Sequence, residues 1–133
     1  MVLVDTAVWI GLLRNQETAP ISRLRELLSD GDAAVAPVIL QEILQGASSP
    51  ANLQRLREHF LDLPMLGYRG DALTHAEAGA LYARCLWAGI TPRSPHDCLI
   101  AKIAVEHGVV LLHDDADFER IAKVEPSLKL QRG

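Results

Sequence analysis

A chain of 133 residues with 49% hydrophobic and 23% charged side chains has the size and balance of one globular domain, residues 1–133. Those values exclude a disordered or low-complexity segment. Aromatics make up only 5%, so aliphatic and alanine packing must build the interior. The net charge of −4, from 17 Asp and Glu against 13 Lys and Arg, argues against a non-specific nucleic-acid binder, which carries a basic face. An acidic metal pocket would account for part of that excess, because a bound divalent cation reverses its local sign. Ten of the 13 basic residues are arginine, the side chain best shaped for forked contacts with phosphate.

No apolar run approaches the roughly 20 residues that span a bilayer. Met1 leads directly into Val2-Leu3-Val4-Asp5, with neither the basic region nor the apolar segment of a secretory signal. Cys85 and Cys98 make neither a disulfide framework nor a zinc spacing; in apolar helical contexts they read as buried free thiols. The histidines are scattered without metal-ligand spacing, so no zinc is expected. A cytoplasmic protein without a membrane partner is expected.

In chain order, residues 2–4 form a short β-branched and leucine run that reads as a buried strand and ends at Asp5. Residues 6–13 follow as a helix. Pro20 opens a second helix with Ile21, Leu24, Leu27 and Leu28 on one stripe and Gly31 past its end. Residues 33–36 read as a second strand, and Pro37 starts a third helix that stops at Gly46. A fourth helix covers 52–61, a short strand 65–68, and the longest helix 71–88. Pro95 begins another helix, closed by Gly108. Residues 109–112 give the clearest strand, 116–123 a last helix and 128–130 an edge strand. Short apolar strands alternating with helices imply right-handed βαβ units: an α/β fold with a mostly parallel central sheet of four to five short strands flanked by helices.

In such sheets ligands bind beyond the carboxyl ends of the strands. Asp5 directly follows the first strand, and Asp114, Asp115 and Asp117 follow the strand at 109–112. Asp97 lies in the first turn of the Pro95 helix and Glu42 midway along the Pro37 helix. If the two strands are neighbours, their trailing acids meet at one sheet edge. Clustered carboxylates repel unless a cation or protons relieve them. Magnesium and manganese suit an all-oxygen shell and leave room for water and phosphate. The matching chemistry is metal-assisted phosphodiester hydrolysis.

Each acid also has a bland role. Asp5 suits a helix N-cap, and Ser94-Pro95-His96-Asp97 is a capping-box pattern. Glu42 suits a solvated helix face, and Asp114, Asp115 and Asp117 suit turns and caps. The combination at one sheet edge is what favours a site.

The segments VLVDTAVWIGLL, APVILQEILQGA, RSPHDCLIAKIAVEHG and VVLLHDDADFERIA resemble, in order and spacing, the PIN-domain ribonucleases and in particular the VapC toxins of type II toxin–antitoxin pairs. The resemblance spans essentially the whole chain and implies a PIN-like domain with endoribonuclease activity. It implies that Asp5, Glu42, Asp97 and Asp115 are the four active-site acids, with Asp5, Asp97 and Asp115 holding Mg²⁺ or Mn²⁺. Thr6 matches the hydroxyl residue after the first acid, and Asp117 matches an extra acid that supports the metal site indirectly. Arg93 stands where it can reach a phosphate. The hydroxyl that the family carries two residues before the fourth acid is His113 here, leaving open whether His113 orients Asp115 or touches RNA.

The resemblance further implies a structured RNA substrate (a transfer or ribosomal RNA), a cognate antitoxin and a homodimer. The helix with Trp9, Ile10, Leu12 and Leu13 is the candidate surface for antitoxin or dimer. Two other acid-bearing folds fit less well. A haloacid-dehalogenase phosphatase needs an acid at position 7, which is alanine, and a receiver domain needs a lysine where the late strand ends in His113-Asp114. The competing class is a PIN-fold scaffold that binds without cleaving.

Overall fold

The computed structural model describes residues 1–133. In chain order the elements are β1 (Val2–Val4), α1 (Thr6–Leu13), α2 (Ala19–Asp30), β2 (Ala33–Ala34), α3 (Pro37–Gln45) and α4 (Pro50–Leu61). Then come α5 (Ala72–Trp87), α6 (Pro95–His107), β3 (Val110–Leu112), α7 (Ala116–Val124) and β4 (Lys129–Gln131). Proline in the first turn opens α2, α3, α4 and α6, where its missing N–H costs nothing. Thr18, Ser49 and Ser94 cap three of these helices through their hydroxyls, satisfying amides that the helix cannot. Gly31 and Gly108 end α2 and α6 at φ of 74° and 63°, a left-handed turn that an L side chain resists.

The sheet runs β2-β1-β3-β4, and every pairing is parallel. The sheet is therefore wholly rather than mostly parallel. Parallel strands need covering on both faces, which explains why Leu3, Val4, Leu111 and Leu112 are all 0% exposed. The expected strand at 65–68 reduces to one bridge between Val35 and Met65. Leu66 donates to Val35 O, but the next carbonyl, Gly67 O, is taken by the His107 Nε2–H at 2.7 Å. That bond turns the chain away before a ladder forms.

Trp9 is a correction. Its indole is fully buried, donates from Nε1 to Val4 O at 3.1 Å and meets Phe60 edge-to-face at 5.0 Å between ring centres. A buried tryptophan satisfied in this way is core, and the large apolar side chain that α1 exposes is Leu13. A clear departure from an amphipathic pattern is α6, whose residues from Asp97 through Ala104 are all buried. This helix carries two charges into the interior with it, Asp97 and Lys102; Lys102 is neutralised by an ion pair with the buried Glu125. Cys85 and Cys98 are buried free thiols, as expected. No helix is long and apolar enough to cross a membrane.

Candidate active site

Because β1 and β3 are adjacent and in register, with Val4 beside Leu112, the residues after them emerge together. The Asp5 N–H donates to Leu112 O at 2.9 Å, which extends the ladder one residue and fixes Asp5 beside the start of the β3–α7 loop. Asp5 precedes α1 in the capping position but makes no capping bond with its side chain. It is 5% exposed. The simple cap reading therefore leaves its carboxylate unexplained.

α6 points its first turn at the same edge and places Asp97 there, 6% exposed. The capping-box expectation fails in its second half. Ser94 caps through its own hydroxyl, accepting from His96 N at 3.2 Å, and no bond runs from Ser94 N–H to Asp97. Asp115 is the N-cap of α7, accepting the Asp117 N–H through Oδ1 at 2.9 Å. Asp117 accepts from the Arg93 N–H at 2.9 Å and from Arg120 Nη1 at 2.7 Å. Carboxylate oxygens of Asp97, Asp115 and Asp117 all lie within 4.8 Å of one another.

Two oxygens in this group, Asp97 Oδ2 and Asp115 Oδ2, are buried without a hydrogen-bond partner. Buried acceptors in native proteins are nearly always satisfied, so Asp97 Oδ2, which has no charged neighbour in bonding distance either, points to a partner of another kind. Asp115 Oδ2 has a charged neighbour, Arg93 Nη2 at 2.5 Å, but the approach lacks hydrogen-bond alignment. The donor set is all carboxylate oxygen, which fits a hard divalent cation.

The electrostatics agree. Burial first, then the charge of Asp97, pushes the Asp5 carboxyl up to about 7, against the opposing pull of the Thr6 and Ala7 amides. Burial also raises Asp97, to about 6. There Arg93 pulls down while Asp115, Asp117 and Glu42 push up. Two acids held near neutrality at one sheet edge are a common feature of functional sites.

Glu42 comes in from α3 at the rim, with its side chain 29% exposed. Its Oε1 accepts the Thr6 hydroxyl at 2.8 Å, and its Oε2 lies 3.9 Å from His96 Nδ1. It is therefore held in place rather than freely solvated. His113 is 1% exposed; its Nδ1 accepts the Asp115 N–H at 3.1 Å and its ring meets Phe118 edge-on. Burial lowers its pKa, keeping it neutral with Nδ1 as acceptor. His113 orients Asp115 from the core and lies out of reach of a ligand.

The structure thus brings Asp97 and Asp115 together with Asp117. Asp5 lies outside this cluster but feels the charges of Asp97 and Glu42, Glu42 also acts on Asp97, and Thr6 is bonded to Glu42. Reading the sequence undervalued Asp117, and it missed His96 and Arg120. The Asp117–Arg120 spacing of three on a helix was the one available signal.

Residues 2–124 match the PIN domain. The chain is 36% identical over 126 residues to Ribonuclease VapC11 of Mycobacterium tuberculosis, covering 93% of each. Among solved structures, it superposes with a TM-score of 0.74 and 27% identity on a chain of DNA-bound VapBC from Salmonella typhimurium, over 98% of this chain and 96% of that one. VapBC2 from Rickettsia felis shares the fold at a TM-score of 0.75, with 20% identity and 98% coverage of both chains. A domain match over nearly the full length, and acids gathered where parallel strands end, lead to one placement: this chain belongs to the PIN-domain family, in its VapC branch.

Proposed function

We propose that the chain is a metal-dependent endoribonuclease toxin that hydrolyses phosphodiester bonds of a structured RNA in the cytoplasm. The observation that carries this reading is the three-carboxylate cluster of Asp97, Asp115 and Asp117, in which Asp97 Oδ2 is buried without a hydrogen-bond partner. Asp5, Asp97 and Asp115 would hold Mg²⁺ or Mn²⁺, with Asp117 close enough to share that task. When bound, such a cation polarises the phosphate and lowers the pKa of its water. The protein's own groups do the rest. Asp5 and Asp97 must shed their protons for the site to load, and Glu42 at the rim accepts a proton from the attacking water.

Thr6 positions Glu42, and that role has a direct check. Thr6→Val keeps the shape and removes the hydroxyl that donates to Glu42 Oε1. Cleavage should drop about tenfold, since a positioned base contributes on the order of a hundredfold or more. Manganese affinity should stay within about twofold, as about 0.4 kcal/mol or less would be lost there. A matching fall in metal affinity would move Thr6 from the base to the metal.

The chain's solved relatives include VapBC assemblies, and the proposal includes a cognate antitoxin and a homodimer. The groove between α1, α3 and α4 sets Ile10, Leu13, Ile43 and Leu56 beside the polar Arg14, Ser48 and Asn52, a mixed lining that suits an amphipathic antitoxin helix. A scaffold that does not cleave is the competing reading. The Arg93 contact favours it, because a carboxylate already paired has less need of metal. The deciding experiment incubates the purified protein with total cellular RNA, with Mg²⁺ or Mn²⁺ and with chelator, beside Asp5→Asn. Discrete metal-dependent fragments that vanish in the variant establish the nuclease; a folded protein that neither cleaves nor binds metal is the scaffold.

A further inference from the structure

The Arg93 side chain is 69% exposed, yet its Nη2 sits 2.5 Å from Asp115 Oδ2, an oxygen with no hydrogen bond. Its backbone is fixed independently, because the Arg93 N–H donates to Asp117 Oδ2 at 2.9 Å. The guanidinium is thus a cation on a flexible stem, anchored at the base, reaching into a carboxylate cluster from solvent. Nothing buries it there, and an arginine this exposed gains little from a single ion pair. Two further arginines pair with acids of the β3–α7 region, Arg120 with Asp117 and Arg132 with Asp114 and Glu119. Both of these pair outside the Asp97–Asp115 contact.

We propose that Arg93 is a tethered counter-ion of the metal-free site: it leaves Asp115 when a divalent cation enters, and then takes up a phosphate of the RNA. This rests on the nuclease reading above and adds an order to it, metal first and backbone phosphate second. The physical reason is competition for one oxygen. A divalent ion and a guanidinium on Asp115 Oδ2 would draw on the same negative charge, and their like charges repel at that range, so each weakens the other's hold. Once released, a guanidinium finds its best forked partner in a phosphate. The same contact that favours an idle scaffold then becomes a gate on metal affinity.

Manganese binding without RNA, by isothermal titration of the full chain and its Arg93→Gln variant, tests the first half. The variant should bind Mn²⁺ about tenfold more tightly, from loss of both the competing pair and the repulsion. The fold is not at risk, because the side chain is exposed and the anchoring N–H is kept. The second half is read from the Arg93 Nε–H NMR signal of the wild-type protein, assigned by its absence in the variant. The signal should move on Mg²⁺ saturation, and inorganic phosphate should then shift it further only when Mg²⁺ is present. Unchanged Mn²⁺ affinity, or a phosphate shift that needs no metal, overturns the inference and leaves the nuclease reading intact. No Mn²⁺ binding by either protein overturns both.

Discussion

Asp97→Asn is expected to lower metal-dependent RNA cleavage on the order of a thousandfold, because a ligand to a catalytic cation supports several kcal/mol of transition-state stabilisation. The same change should raise the stability of the metal-free protein. Asp97 is 6% exposed and burial holds its carboxyl at about 6, so at pH 7.5 it is ionised against its environment. Asparagine has the same shape without that charge, and about 2 kcal/mol of stability should return. For a chain of this length that corresponds to roughly 7 °C in Tm. Activity loss with stability gain is a combination that a helix cap does not produce. Losing a cap costs about 1 kcal/mol, so an Asp97→Asn protein that melts earlier yet cleaves normally would return Asp97 to a structural role. The experiment needs only a chelator-treated melt and a cleavage time course on the same preparation.

How much of this could be read from the sequence depends on which interactions the chain's periodicity encodes. Asp5 and Asp115 were legible because Asp5 directly follows one unmistakable apolar strand and Asp115 comes three residues after the end of another, and parallel neighbours must deliver their trailing residues to one edge. Asp97 was legible as the first-turn residue of a helix opened by Ser94 and Pro95. Glu42 rested on the motif around it, because a glutamate between two glutamines on a helix looks solvated. What makes it otherwise is Thr6, thirty-six positions away. The Arg93–Asp115 pair is a similar case. Its partners meet only because the loop before α6 crosses the N-terminus of α7, and no spacing rule contains that crossing.

The fold shows the same division. The starts of α2, α3 and α6 were marked by proline, and the ends of α2 and α6 by Gly31 and Gly108, because those residues act locally; α4 was read from 52, although Ser49 and Pro50 start it two residues earlier. The false strand at 65–68 and the misread Trp9 both arose from long-range competition: His107 claims the Gly67 carbonyl, and Val4 claims the indole N–H. An apolar helix in so small a domain has neighbours on more than one side. That is why α6 shows no polar stripe from Asp97 to Ala104 and why surplus apolar surface on α1 was a weak guide to a docking face.

The second large effect is a reversal of the pH trend by metal. Both Asp5 and Asp97 have folded-state pKa values, about 7 and about 6, raised above the ordinary 3.8 that they regain on unfolding. Between pH 4 and 7 the folded protein therefore holds more protons than the unfolded chain, and linkage makes stability fall as pH rises through that window. The contribution of these two acids is fully present below about pH 4 and lost above about pH 7. For the metal-free protein, unfolding free energy should drop by about 2 kcal/mol from pH 5 to pH 7.5, a discounted value because the two carboxylates interact. With saturating Mn²⁺ the slope should change sign. The ion needs the deprotonated acids, so its affinity should rise about tenfold per pH unit for each proton released and level off above pH 7, and tighter binding adds stability. Asp5→Asn should flatten the metal-free trend between pH 6 and 7.5, which assigns the upper part of the transition. Urea melts at four pH values, with and without Mn²⁺, give both curves. Parallel curves would mean that the cation does not compete with the protons of Asp5 and Asp97, and the metal would then have to be placed away from the end of β1.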